Sequence, residues 1–170
     1  KNIKIIAVRP LVYWTVKAAS DCDDIDVVYV ATDSPVIKET VIGFKLPKVQ
    51  VIGRGANTAT DTASTESAML EFALENDFDN IALIQATSPL LKAEDISEGF
   101  KLLKSEGTDS VLSVVRQKRF HWDIDKKGFA HPVNYDVFKR PRRQEFDGNL
   151  VENGAFYITT RQMLLESQNR

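Results

Sequence analysis

Five short apolar runs, separated by helix-length stretches, limit this chain to few architectures. Asp26–Ala31 is continuous, rich in β-branched residues and bounded by acidic turns. Such a run fits a strand buried on both faces of a parallel sheet. Val49–Ile52 is a second, ending at Gly53; Asn80–Gln85, Ser110–Val115 and Gly154–Ile158 are the third, fourth and fifth. The intervals read as helices. Leu11–Ala19 is apolar and follows Pro10, a residue tolerated at a helix start. The stretch 62–75 sets Thr65, Met69, Phe72 and Ala73 on one face, with Asp61 as N-cap. Ala93–Ser105 carries the stripe Ile96, Phe100, Leu103 and stops before Gly107. A short last helix begins near Thr160 with Met163 and Leu164. Strands alternating with helices of this length predict an α/β fold, with a mostly parallel sheet and helices on both faces.

One segment breaks the rhythm. From Gln117 to Val151 the chain is polar, with scattered aromatics (Phe120, Trp122, Phe129, Tyr135, Phe138) and an arginine cluster. A stretch this long without evident core elements reads as a functional or interacting arm. The expected organisation is one domain over residues 1–170, with an excursion at about 117–143.

Bulk properties exclude several classes. The 170 residues suit one domain with a real core, and 43% hydrophobic against 27% charged residues is a globular composition. A net charge of −2 gives no global attraction to nucleic acid or anionic membrane, so an anion site must be local. No apolar run approaches the roughly 20 residues that span a bilayer. One cysteine, Cys22, excludes an internal disulfide, and two histidines make a Cys/His zinc site improbable. The first residues are Lys1-Asn2-Ile3-Lys4 and the last Gln168-Asn169-Arg170, so the chain is read as part of a longer protein.

Ligands of open α/β sheets bind beyond the carboxyl ends of the strands. The segments at that edge are Thr32-Asp33-Ser34, Gln85-Ala86-Thr87-Ser88-Pro89 and Glu152-Asn153-Gly154. Each alone has a plain reading, as strand ends and helix caps; their convergence at one edge favours a ligand. Asp61-Thr62-Ala63-Ser64-Thr65 is likewise a helix start with Glu66 in its first turn, and also a place where hydroxyls and free N–H groups hold a nucleotide. Lys139-Arg140-Pro141-Arg142-Arg143-Gln144 is either a solvated stretch, a nuclear-import signal or a guanidinium clamp for carboxylate or phosphate. The net acidity and short length of this patch argue against RNA. His121 and His131 lie in the arm and read as surface or interface residues. Cys22 sits among acids, a setting that does not favour a reactive thiolate.

The ordered set of strings resembles the acylneuraminate cytidylyltransferases, also called CMP-sialic acid synthetases. The strings are Lys-Asn-Ile-Lys at 1–4, Arg-Pro-Leu at 9–11, Ala-Thr-Asp at 31–33, Asp-Thr-Ala-Ser-Thr at 61–65, Gln-Ala-Thr-Ser-Pro at 85–89, Ser-Val-Val-Arg at 113–116, Arg-Pro-Arg-Arg-Gln at 140–144 and Glu-Asn-Gly-Ala-Phe-Tyr at 152–157. The resemblance implies a Rossmann-like nucleotidyltransferase fold and transfer of CMP from CTP to the anomeric hydroxyl of a sialic-type sugar acid, with diphosphate released and Mg²⁺ assisting. It implies Lys1 and Arg142 as catalytic residues. Lys1, Asn2, Asp33, Ser64 and Thr65 would serve the nucleotide. Gln85, Thr87, Ser88, Arg142, Gln144, Asn153 and Tyr157 would serve the sugar acid. The arm resembles the family's dimerisation excursion, so a homodimer or a dimer of dimers is expected, in the cytoplasm or, for a vertebrate enzyme, the nucleus. The family's Gly-rich loop lies before Lys1 and its metal-binding Asp-x-Asp motif beyond residue 170, so no metal ligand is expected within the chain. Two alternatives stay open: a related acid sugar (KDN, Kdo or a legionaminic-type sugar) as substrate, or a nucleotide-binding homologue without catalysis. No general base emerges.

Overall fold

A computed structural model describes residues 1–55 and 64–170. The chain divides into two compact units, one of Lys1–Ser113 with Gly154–Arg170, the other of Val114–Asn153.

The first unit opens with a two-residue hairpin, β1 (Ile5–Ile6) and β2 (Arg9–Pro10), in antiparallel register. Helix α1 (Leu11–Asp21) follows directly from Pro10. It is apolar on two faces because it serves two clusters. Val12 and Val16 pack with Val41, while Ala18 and Ala19 pack with Ile96, Phe100, Phe156 and Ile158. Cys22, which caps α1, is buried in the second of these clusters with its sulfur 3.3 Å from Ser97 Oγ. The thiol is thus a packing element, not a member of an exposed acidic loop.

Strand β3 (Val28–Ala31) and strand β4 (Val49–Ile52) pair in parallel, Val28 opposite Val49 and Ala31 opposite Ile52. Parallel neighbours need a crossover, and α2 (Pro35–Ile42) supplies it. This helix was not anticipated from the sequence, although Ser34 caps it and Pro35 stands at its first turn, both ordinary start signals. Helix α3 (Thr65–Glu75) is capped by Ser64, in extended conformation, rather than starting at Thr62; Asp61, the expected cap, lies outside the described residues. Strand β5 (Asn80–Ile84) precedes α4 (Ala93–Leu103), which starts where the Asp95 carboxylate accepts the Lys92 N–H at 3.1 Å.

Strand β6 (Ser110–Gln117) leads out of this unit and β9 (Asn149–Thr160) leads back, followed by α5 (Arg161–Ser167) under a Thr160 cap. The sheet order is β5-β9-β6. β9 is longer than the expected 154–158 because the polar Glu152-Asn153 pair interrupts its apolar pattern after Leu150 and Val151. It runs antiparallel to β5, with Leu83 opposite Tyr157 and Ile81 opposite Thr159. This central place explains the unbroken burial of Ala155–Thr159. Phe156 and Ile158 face α1 and α4. Ile81 and Leu83 face Met69, Ala73 and Leu164 of α3 and α5. The fold is therefore α/β, with a parallel pair at β3–β4 and an antiparallel pair at β5–β9.

The second unit is built differently. Strands β7 (Trp122–Ile124) and β8 (Ala130–Pro132) form an antiparallel hairpin, Trp122 opposite Pro132. The Asp125 carboxylate closes its loop by accepting the N–H groups of Lys127 at 2.8 Å and Phe129 at 2.9 Å. Asn134 then ties the strand entry, accepting from His121 N–H at 2.8 Å and donating to the Arg119 carbonyl at 3.0 Å. Phe120 packs on Tyr135 and Phe146, with ring centroids 4.5 Å and 5.0 Å away. A 3₁₀ turn at Val137–Lys139 sits under an Asp136 cap. The arm is thus not without elements; its core is a few aromatic rings far apart in sequence, so it leaves no periodic apolar trace.

Candidate active site

The carboxyl end of β5 is held to β9 by the Gln85 N–H, which donates to the Ala155 carbonyl at 3.1 Å. The chain then turns: Ser88 N–H reaches the Gln85 carbonyl at 3.2 Å, and Leu91 N–H the Ser88 carbonyl at 3.1 Å. Gln85 and Ser88 are half-buried and Thr87 is exposed. The Gln85 side chain lies over the backbone of Gly154. That glycine has φ of 70°, and a Cβ there would stand 3.2 Å from Gln85 Oε1. A left-handed backbone and a close approach together require glycine at this point. The Glu152-Asn153-Gly154 string therefore has a local reason: it lets β9 accept the glutamine amide against its main chain.

The α3 N-terminus is the second element. Ser64 Oγ accepts the Ser67 N–H at 3.1 Å, and Ser67 Oγ donates back to the Ser64 carbonyl at 2.7 Å. Ser64 therefore caps the helix, a role the sequence reading gave to Asp61, and the positive end of the helix dipole lies at this first turn. Thr65 follows as the first helical residue. One residue on, the Glu66 carboxylate pairs with the Arg170 guanidinium. The same guanidinium lies over the Tyr157 ring, 4.4 Å from its centroid. Tyr157 is buried at 6% exposure, on the strand that carries Gly154. The sequence reading missed both Glu66 and Arg170 as members of this group.

Lys1 and Asn2 fold against the start of α1. The Asn2 carbonyl accepts the Val12 N–H at 3.0 Å, and the Lys1 carbonyl accepts the Lys4 N–H at 3.1 Å. Asp33 is exposed in the β3–α2 turn, where the Thr32 hydroxyl accepts the Ser34 N–H at 3.2 Å. Arg54, another residue not anticipated, follows β4 at the corresponding strand end and is half-buried. Its signal was available: a cation between two glycines, directly after a strand.

The arginine cluster belongs to the second unit. A cleft of about 800 Å³ is lined there by Lys118, Arg119, Arg140, Arg142 and Arg143 among the rings of Phe120, Trp122 and Tyr135. Some of these cations are spoken for. Arg140 stacks on Phe120 at 4.6 Å, and Lys118 Nζ donates to the Gln144 carbonyl at 3.2 Å. The Arg142 carbonyl receives the N–H groups of Glu145 at 3.0 Å and Phe146 at 3.1 Å, a turn that sets its exposed side chain in the cleft. Gln144 and Asn153 are exposed in the same unit. Among the described residues no group of three or more His, Cys, Asp or Glu side chains is arranged to hold a metal ion. No helix among the described residues is long and apolar enough to cross a membrane.

A cytidylyltransferase family model matches residues 1–165. The chain belongs to the cytidylyltransferase family. An N-acylneuraminate cytidylyltransferase of Oncorhynchus mykiss is 41% identical over 165 residues, covering 95% of this chain and 38% of that protein. N-acylneuraminate cytidylyltransferase A of Danio rerio is 35% identical over 168 residues, covering 96% and 38%. The chain therefore spans well under half the length of these relatives. Among solved structures, a CMP:2-keto-3-deoxy-manno-octonic acid synthetase complexed with CTP aligns with a TM-score of 0.69 at 16% identity, covering 98% of this chain and 70% of that one. At that identity the likeness shows the fold alone, the nucleotidyltransferase type that the cytidylyltransferase motifs implied.

Proposed function

We propose that this cytidylyltransferase transfers CMP from CTP to an N-acylneuraminate, giving CMP-N-acylneuraminate and diphosphate. The observation that carries the reading is the Gln85–Gly154 contact at the end of β5. It joins two of the sequence strings, 85–89 and 152–157, in a chain 41% identical to the N-acylneuraminate cytidylyltransferase of Oncorhynchus mykiss.

In this reading the anomeric hydroxyl of the sugar acid attacks the α-phosphorus of CTP. A new P–O bond forms, the bond to the β-phosphate bridge breaks, diphosphate leaves with the electron pair, and the hydroxyl proton is released to solvent. Such transfer is mainly positioning and charge neutralisation. Lys1 neutralises developing phosphate charge while Asn2 and Asp33 flank the nucleotide. Ser64 and Thr65 present a helix start to it. Gln85, Thr87, Ser88 and Tyr157 of the first unit, and Asn153 of the second, serve the sugar acid. Arg142, supported by Gln144, takes the sugar carboxylate through two parallel hydrogen bonds. Mg²⁺ is part of the proposal as a cofactor; no step is assigned to it.

We also read the second unit as a dimerisation arm within a largely crossover-built nucleotidyltransferase sheet. Residues 114–153 hold nine lysines and arginines against six acids, a net of +3, while the rest of the chain holds 13 against 18, a net of −5. Opposite charge on the two units favours pairing the arm of one copy with the body of another. Ile124, Phe129 and Phe138 are 68%, 69% and 94% exposed, apolar surface that a partner would cover. A homodimer, in the cytoplasm or the nucleus of a vertebrate cell, is the expected form; light scattering on the full-length protein tests its mass.

The experiment is an acid-sugar panel with CTP held fixed. N-Acetylneuraminate is expected to give the highest kcat/KM, ahead of KDN, Kdo and N,N′-diacetyllegionaminate. A higher value for one of the other three would reassign the substrate.

A further inference from the structure

We infer that Arg170 is a positioning residue that locks the nucleotide side of the site to the sugar-acid side. The inference rests on the function proposed above, and it concerns a residue that lies outside all the motif strings.

The geometry is a three-part clamp. Glu66 lies in the first turn of α3, one residue after Thr65. Tyr157 lies on β9, three residues after Gly154, on which Gln85 rests. The Arg170 guanidinium pairs with the first and stacks on the second at 4.4 Å. Both charged side chains are mostly shielded, Arg170 at 26% and Glu66 at 21% exposure, so the pair is screened less than an open surface bridge. Planar guanidinium suits this task. It offers an edge to the carboxylate and a face to the ring at once, which an ammonium does not.

The consequence is mechanical coupling. Without the clamp, the first turn of α3 and the β9 wall would each keep their own backbone bonds but lose this side-chain link between them. Ser64 and Thr65 would then be free to drift relative to Tyr157 and Gln85. Because catalysis of this type depends on placement, a small misplacement weakens capture of both substrates together.

Full-length Arg170→Ala, Arg170→Lys, Glu66→Gln and the Glu66→Gln/Arg170→Ala double variant test this. Arg170→Ala should raise KM for CTP and for N-acetylneuraminate together by about tenfold, with kcat changed less than about threefold. Arg170→Lys should recover only part of the loss. The double variant should be no worse than Arg170→Ala, since both act through one contact. Hydrogen exchange gives a readout independent of turnover: the Ser67 amide, bonded to the Ser64 cap, should exchange faster in Arg170→Ala. If the folded Arg170→Ala protein keeps both KM values and the Ser67 protection, the inference fails while the proposed function stands. If the wild type turns over none of the sugar acids, that function fails, and the Ser67 exchange alone decides whether the clamp exists. A rise in only one KM, or additive losses in the double variant, would also overturn the coupling.

Discussion

The Gln85 side chain rests on the main chain of Gly154, at a point where a Cβ would lie 3.2 Å from its Oε1 and where φ is 70°. Gly154→Ala must then adopt a left-handed backbone with a side chain, at a cost of about 1–2 kcal/mol. It must also displace the Gln85 amide. We expect denaturant titration to show a loss of that size, and steady-state kinetics to show KM for the sugar acid rising several-fold more than KM for CTP. Equal changes in both KM values would remove Gln85 from the sugar wall.

Helix α4 touches β9 through Gly99. An added Cβ would stand 2.7 Å from Ile158 Cδ1 and 2.9 Å from Phe156 Cε2. Both neighbours are buried, Ile158 completely, so they have little room to yield. Overpacking of this kind costs about 1–3 kcal/mol, against a helix-propensity gain of about 1 kcal/mol for Gly to Ala. Gly99→Ala should therefore destabilise by about 1 kcal/mol, seen as a lower midpoint in urea with an unchanged slope.

The tip of the first hairpin runs the other way. Ala7 and Val8 have φ of 47° and 75°, and Val8 is 86% exposed. A β-branched residue in this region is strained and, being exposed, gains little packing in return. Val8→Gly relieves about 1–2 kcal/mol of strain and adds about 0.5–1 kcal/mol of chain entropy cost. A net stabilisation of about 0.5–1 kcal/mol should appear as a raised thermal midpoint.

In the sequence, the strand ends at Ala31 and Ile84 are legible because apolar runs stop there at polar turns. The β7–β8 hairpin is not, since rings at Phe120, Tyr135 and Phe146 hold that unit without any periodicity. Helix α2 has only eight residues, too few for its pattern to outweigh the Thr32-Asp33-Ser34 turn before it. The Glu66–Arg170 contact joins positions 104 residues apart, and no local spacing encodes it.

Asp24 offers a pH test of the α1–α4 junction. Lys104 Nζ donates to its carboxylate at 3.2 Å, and that bond, helped by Ser97, holds the carboxyl below its ordinary value of 3.8. A depressed folded value means the stabilisation is complete above 3.8 and is lost as pH falls through the folded value. The wild type should therefore lose its stability advantage over Asp24→Asn only on that acid limb, and carbon-detected titration of Asp24 should place its midpoint below 3.8. A difference between the two proteins that persists at the acid end would contradict the link.

The most direct test of the proposed chemistry is the product balance of the full-length protein with Mg²⁺, CTP and N-acetylneuraminate. The expected result is diphosphate and CMP-N-acetylneuraminate formed one for one, dependent on both substrates and abolished by chelation. Binding of CTP without diphosphate release in the presence of any acid sugar would contradict it, and would make this cytidylyltransferase relative a nucleotide-binding protein without the transfer.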